Sequence, residues 1–263
     1  MTACSVIICT FNRYPLVKRA IDSVLSQKNV DFELIVVDDC STDNTFAALH
    51  SEYENKIKLV KTPQNSKVAY STNFGFSYSS GDHIALLGDD DYWNDNLKLY
   101  KQLQLFDKSK NIAIVGSYWV ELGNTRQELV KPIQLSSNNY IRVDQLLSSG
   151  SFICGSTALL SREAWIKVGG MDVCQRKGTD SDLFRRIVLS GFSINTLPEP
   201  TSTIDISHTF KRMTPIHSNI SSFLVAQTNL YLIKKHWLLF CIHPAALFVR
   251  LRRVIAALVR GLS

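Results

Sequence analysis

The chain has no acidic residue after Asp205, although eight lysines and arginines follow it, from Lys211 to Arg260. Cysteines are few, six in 263 residues, and none stands in a CxxC pair or a Cys/His ladder at zinc spacing. That excludes a disulfide scaffold and a zinc ribbon, and makes a reducing compartment the expectation. With only 12 glycines and 7 prolines, the collagen-like and low-complexity classes fall away as well. The apolar start, MTACSVIICTFNR, lacks a preceding basic stretch and a small-residue cleavage site, so the reading is a cytosolic chain without a signal peptide. The longest apolar stretch, WLLFCIHPAALFV, is interrupted by His243 and Pro244. It falls short of the roughly 20 residues that a membrane-crossing helix needs. Two phosphate-binding loops are also missing. No GxGxxG follows a strand, which argues against a dehydrogenase, and CTFNR is not the GGxGTR-like loop of a nucleotidyltransferase.

What is present is an ordinary globular composition, 45% hydrophobic and 20% charged, with its charge unevenly divided. Residues up to Asp205 hold 21 basic and 23 acidic side chains, whereas the remainder holds eight basic ones alone. The split predicts a nearly neutral body and a basic tail. In the body, β-branched runs alternate with helical stretches. SVIICT, FELIVVDD, IKLVKT, HIALLG and IAIVGSY read as strands, and the helices between them run over Tyr14 to Ser26, Asn44 to Tyr53, Val68 to Ser79 and about Asn94 to Asp107. Ser41, Thr42 and Asp43 offer oxygens to the start of the second helix. This βαβ series predicts an α/β fold with a Rossmann-like, doubly wound, mostly parallel sheet. After Val120 a polar stretch reads as a surface excursion. A strand over Phe152 to Leu160 follows, then helices over Arg162 to Val168 and Asp180 to Ser190, and two further strands, FSINTL and TSTIDI.

The chemistry collects at the carboxyl ends of the strands, where open α/β sheets bind ligands. Strand one ends in Thr10, Phe11, Asn12 and Arg13, strand two in Asp38 and Asp39, and strand four in Asp89, Asp90 and Asp91. Three adjacent carboxylates are costly to ionise together without a cation among them. Mn²⁺ or Mg²⁺, completed by substrate phosphate and water, is the natural one.

The segments SVIICTFNR, VVDDCSTDNT, NSKVAYSTNFG and GDHIALLGDDDYW resemble the inverting glycosyltransferases of family 2 on the GT-A fold. Those enzymes show SVIIPTYNR, VVDDGSTDxT, NxGxxxAxNxG and a DxD motif in the same order. SFICGSTALLSREAWIKVGGMD followed by TDSDLFRRI resembles their acceptor-side pattern, a GGF(D) turn before an EDxDLxxR helix. Five such motifs in order, across roughly the first 190 residues, make the signal specific. The resemblance implies that Thr10, Asn12, Arg13 and Asp39 hold the nucleotide base and ribose. It places Asp89 and Asp90 on the donor and the metal on Asp89 and Asp91, and it makes Asp180 the catalytic base with Asp182 in support. Gly88 stands where many members have the first Asp of DxD, Thr179 where they have Glu, Cys40 and Lys67 where glycine is common, and Cys9 where proline is usual. Lys67 is read as solvent-facing, Trp93 and Trp165 as core residues, and His208, Lys211 and Arg212 as a loop of minor standing.

From Leu247 onward, Leu247, Phe248, Leu251, Val254, Ile255, Leu258 and Val259 fall on one helical arc and Arg250, Arg252, Arg253 and Arg260 on the other. A basic amphipathic helix of this kind suits an anionic membrane surface. Without stacking aromatics among the basic residues, no nucleic-acid partner is expected. The expectation is a catalytic domain over 1–205, with a nucleotide-sugar half (1–120) and an acceptor half (121–205), and a C-terminal loop and helical tail over 206–263. Its activity would be metal-dependent, inverting transfer from a UDP- or dTDP-sugar to a glycan or lipid-linked hydroxyl, peripheral on the inner face of the cell membrane. The rival reading is a catalytically silent nucleotide-sugar-binding or membrane scaffold protein.

Overall fold

A computed structural model describes residues 2–106, 111–132, 143–149, 152–207 and 219–262. Its first half is built as the alternation predicts: β1 (Cys4–Thr10), α1 (Tyr14–Leu25), β2 (Phe32–Asp38), α2 (Thr45–Glu52), β3 (Lys58–Lys61), α3 (Lys67–Ser77) and β4 (His83–Gly88). Every residue of β1 is buried, because successive side chains enter opposite layers. Ile7 and Cys9 join one apolar layer with Ile35 and Val37, while Val6 and Ile8 join the other with Leu34 and Val36. The strands order β3-β2-β1-β4 and are parallel throughout. β1 therefore has β2 on one side and β4 on the other, and the chain reverses its direction of travel across the sheet between β1 and β4.

The second half holds β5 (Tyr92–Trp93), α4 (Lys98–Phe106), β6 (Ile112–Leu122), β7 (Gln127–Val130), α5 (Val143–Ser148), β8 (Leu159–Ser161), α6 (Arg162–Val168), α7 (Thr179–Leu189) and β9 (Ser193–Asp205). β8 lies antiparallel between β4 and β6, and β9 runs parallel to β6. Three expectations are corrected here. The surface excursion after Val120 contains a hairpin, since β6 runs on to Leu122 and pairs with β7. The strand over Phe152 to Leu160 is a short 3₁₀ turn, Gly155–Thr157, followed by β8. FSINTL and TSTIDI form one strand, β9, whose pairing with β6 skips from Leu197 to Pro200 and so absorbs Pro198 in an irregularity. α6 starts on Ser161, whose Oγ accepts from the Ala164 amide, and ends at Gly169 with φ +76°, the left-handed closure that glycine permits.

Three C-terminal helices follow, α8 (Asn219–Lys235), α9 (Trp237–Ile242) and α10 (Pro244–Leu262). They share an apolar cluster with α5, built on Leu147, Leu232, Ile233, Phe240 and Ala246. The tail docks otherwise than its periodicity implies. Arg250 is buried and donates to the Leu147 and Ser149 carbonyls and to Asn229 Oδ1, so it faces inward with Val254 and Ala257. Phe248, Leu251, Ile255, Leu258 and Val259 are exposed. Among the described residues no helix is long and apolar enough to cross a membrane.

Candidate active site

The crevice at the carboxyl ends of β1 and β4 is where a doubly wound sheet places its ligand. Thr10 Oγ1 donates to Asp89 Oδ2 at 2.9 Å, and Arg13 donates to Asp89 Oδ1 at 2.8 Å and to Asp90 Oδ2 at 3.3 Å. Arg13 and Asp89 are both buried. Burial pushes the Asp89 carboxyl up to about 6, with Arg13 pulling it the other way. Asn12, at φ +54°, ties the end of β1 to the β2 loop, its Oδ1 accepting from the Thr42 and Asp43 amides. Asp39 is buried and fixes the start of α3. Its Oδ1 accepts from the Ser66 amide and from the hydroxyls of Thr62 and Ser71, and its Oδ2 from the Lys67 amide. At the second helix start, Asp43 caps Thr45. Lys67 is solvent-facing and donates to Asn65, while Trp93 and Trp165 are buried.

Asp91 accepts from Ser156 Oγ and, at 3.3 Å, from the Asp205 amide. Gly88 has a geometric reason to lack a side chain. A Cβ there would stand 2.9 Å from Asp91 Oδ2 and 3.1 Å from Asp90 Oδ1, so these two carboxylates converge on the space that an aspartate at position 88 would fill.

Opposite them stands α7. Asp180, at its first turn, is half-buried and accepts from the Ser181 amide at 2.7 Å, with the Gly155 amide also bonded to it. Burial pushes its carboxyl above the ordinary range. Asp182, two residues on, is fully buried and does not line the cleft. It receives Arg186 at 2.8 Å and Lys235 at 3.0 Å. The cleft between the walls has a volume of about 480 Å³ and is lined by Arg13, Asp89 to Asp91, Cys154 to Ser156 and Lys177 to Asp180.

The 3₁₀ turn measures the distance between the walls. Gly155 touches Asp180 and Ser156 touches Asp91, and adjacent residues lie about 3.8 Å apart at Cα. Ser156 also accepts from the Gly88 amide, and its carbonyl takes the Trp93 indole N–H. Sequence reasoning missed this turn, and its only trace is the small-residue run CGST. His208, Lys211 and Arg212 lie outside the described residues.

For a divalent cation, Asp89 is engaged on both oxygens by Thr10 and Arg13 and Asp91 on both by Ser156 and the Asp205 amide, while Asp90 and Asp91 converge on the space over Gly88, each carboxylate oxygen keeping a further lone pair for a metal. Among the described residues no three His, Cys, Asp or Glu side chains converge as a cage. Two carboxylates completed by substrate phosphate and water is the usual Mg²⁺ arrangement, and the residues present fit it.

Fold and cleft together define a sugar-transferring enzyme of the GT-A kind. The chain belongs to glycosyl transferase family 2, whose model matches residues 5–169. It is similar to the putative glycosyltransferase EpsE of Bacillus subtilis, at 27% identity over 232 residues, 85% of this chain and 80% of that one. It is also similar to the Escherichia coli UDP-Glc:alpha-D-GlcNAc-diphosphoundecaprenol beta-1,3-glucosyltransferase WfgD, at 30% identity over 139 residues, 52% of this chain and 54% of that one. In fold it matches the mannosyltransferase PcManGT of Pyrobaculum calidifontis, solved with GDP-Man and Mn²⁺. The TM-score is 0.67 at 18% identity, over 98% of this chain and 74% of that one.

Proposed function

We propose that the protein moves a sugar, with inversion and with a divalent cation, from a UDP- or dTDP-sugar to a hydroxyl of a glycan or lipid-linked acceptor. The observation that carries this reading is the turn at Gly155 and Ser156, which holds the base-like Asp180 and the cation-side Asp91 on consecutive residues. Asp180 takes the proton from the acceptor hydroxyl, whose oxygen attacks the anomeric carbon as the bond to the diphosphate breaks. Its raised basicity suits that task, and no covalent enzyme intermediate is needed. Asp90 and Asp91 would hold the cation, which would neutralise charge on the leaving diphosphate. Arg13 keeps Asp89 in place beneath them, and Thr10 and Asn12 shape the nucleotide end. That the relative WfgD is named for a UDP-sugar and a lipid diphosphate supports both donor and acceptor classes.

The exposed Leu238 and Ile242 of α9 and Phe248, Ile255 and Val259 of α10, together with basic Arg252 and Arg260, support a membrane surface as the seat of the tail. The protein then works peripherally on the cytoplasmic face. Vesicles rich in anionic lipid should pellet it and neutral vesicles should not; equal pelleting with both, or with neither, removes the membrane reading.

The transferase reading is tested by calorimetry of UDP and dTDP, with and without Mn²⁺. Mn²⁺ should tighten binding, Asp91→Ala should lose that gain, and Asp180→Ala should keep it. Failure of both nucleotides to bind the wild type favours the catalytically silent scaffold.

A further inference from the structure

The wall that carries Asp180 is clamped from the C-terminal helices. Lys235 of α8 grips Asp172 at 2.5 Å and Asp182 at 3.0 Å, so it holds both ends of the segment from 172 to 182. Tyr231 adds a bond to Asp172 at 2.8 Å, and the Asn73 side chain holds Met171 through both its amide and its carbonyl. Within the segment, Gln175 Nε2 donates to the Lys177 carbonyl at 2.9 Å. The backbone that presents Lys177 to the cleft is thus fixed at several points.

The Lys177 ammonium itself has no hydrogen-bond or ion-pair partner among the described residues, although the side chain lines the cleft and is partly buried. Three other cations at or behind the cleft are engaged, whereas Arg176 is exposed and does not line it. Arg13 lies on Asp89 and Asp90, and Arg186 and Lys235 lie on Asp182. The carboxylate closest in sequence, Asp180, is occupied by backbone amides. Burial pulls the ammonium below its ordinary range with nothing to oppose it. A partly desolvated charge on a wall fixed at several points, with no protein counter-charge among the described residues, is available to an anionic ligand.

We propose that Lys177 reads a phosphate oxyanion carried by the acceptor. The diphosphate of the donor belongs at the Asp90 and Asp91 end, beside its cation, whereas Lys177 shares its wall with the base and so meets the molecule whose hydroxyl that base deprotonates. A lysine suits this role as a point charge for phosphate. The inference rests on the transferase reading. It narrows the acceptor to one with a phosphate near the sugar being extended, either a lipid-linked diphosphate or a phosphodiester within the glycan.

The test fills the donor site with UDP and Mn²⁺ and then titrates farnesyl diphosphate and, separately, glycerol 3-phosphate, into wild type, Lys177→Met and Lys177→Arg. The wild type should bind at least one probe, Lys177→Met should lose about tenfold or more, and Lys177→Arg should retain most of the affinity. UDP affinity and melting temperature should be the same in all three. Preference for farnesyl diphosphate identifies the lipid-linked source, and comparable binding of glycerol 3-phosphate the phosphodiester. Equal phosphate binding by wild type and Lys177→Met, or no binding to the loaded wild type, overturns the proposal. So does a parallel fall in UDP affinity, which moves Lys177 to the donor. If the wild type fails to bind UDP at all, the transferase reading itself falls, a result distinct from each of these.

Discussion

The two walls of the cleft treat their charges in opposite ways. At the end of β4, Arg13 lies between Asp89 and Asp90, and Ser156 holds Asp91, so each donor-wall carboxylate is tied to a side chain, while the excess of three carboxylates over one guanidinium is left for a cation. On the α7 wall, Asp180 has backbone donors but no ion pair, and Lys177 has no partner among the described residues. A wall whose carboxylates are held by fixed side chains serves as a binding floor. One whose charges are left unmatched is where, on the proposed reading, proton transfer and acceptor recognition would have their leverage, because the substrate would complete its electrostatics.

The largest effect that separates the walls is expected from Asp180→Asn. Transfer should fall by about 10²–10⁴-fold, the usual range for a lost general base. Fold stability should hold or rise. A carboxyl whose folded pKa is raised is most stabilising when protonated, and it loses that advantage as pH climbs through the raised value, so an uncharged amide removes a cost at neutral pH. In the wild type, kcat/KM should decline toward acid with a midpoint above the ordinary carboxylate range. A flat acid limb would take the base role from Asp180.

Next in size is Arg13→Met, which strands Asp89 as a buried and unpaired carboxylate. Removing one partner of a buried pair costs about 3–5 kcal/mol, whereas Lys177→Met should lie within about 0.5 kcal/mol of wild type. Denaturant unfolding of both variants tests the comparison directly. Similar losses in the two would mean that the α7 wall is matched by contacts of its own.

Beneath the donor wall sits Lys98, fully buried, with its ammonium 4.2 Å from the centre of the Trp93 ring and donating to Gln102 at 2.7 Å. Burial lowers its pKa to about 7, far below an ordinary lysine. Between that value and the unfolded lysine range the unfolded chain binds the extra proton, so stability rises with pH across the window, by at most about 1.4 kcal/mol per pH unit. Lys98→Met should therefore be more stable than wild type at pH 7, with the gap closing toward pH 9.5. A gap independent of pH would show that Lys98 keeps its proton in the fold.

The donor wall was also the legible one. Continuous apolar runs in β1, β2 and β4 gave away a sheet covered on both faces, and the polar residues at their ends marked the crevice. The acceptor side hid for physical reasons. Pro198 and Pro200 break the pattern of a strand that is continuous in space because its partner tolerates a bulge. Arg250 reads as a solvent-facing residue, since periodicity cannot show that the carbonyls at the end of α5 await a guanidinium. Lys235 likewise looks like a surface charge until Asp172 and Asp182, more than fifty residues earlier, meet it in space.

The smallest effect concerns a departure that the sequence did show. Cys40 and Lys67 stand where related sequences favour glycine, and both adopt positive φ, +62° and +70°. For a residue with a Cβ the left-handed conformation costs about 1–2 kcal/mol. Glycine relieves that but loses about 0.5–1 kcal/mol in backbone entropy. Cys40→Gly should therefore raise stability by about 0.5 kcal/mol, provided the cysteine side chain contributes little packing. Its sulfur reaches only the Pro63 carbonyl, at 4.0 Å, and the residue is partly exposed. Because Cys40 adjoins Asp39, the same variant should leave UDP affinity unchanged if the Ser66 and Lys67 amides and the Thr62 and Ser71 hydroxyls fix that carboxylate without the thiol. A loss of UDP affinity without a loss of stability would mean that the thiol itself helps to shape the nucleotide end, making the donor wall less self-sufficient than its ion pairs suggest.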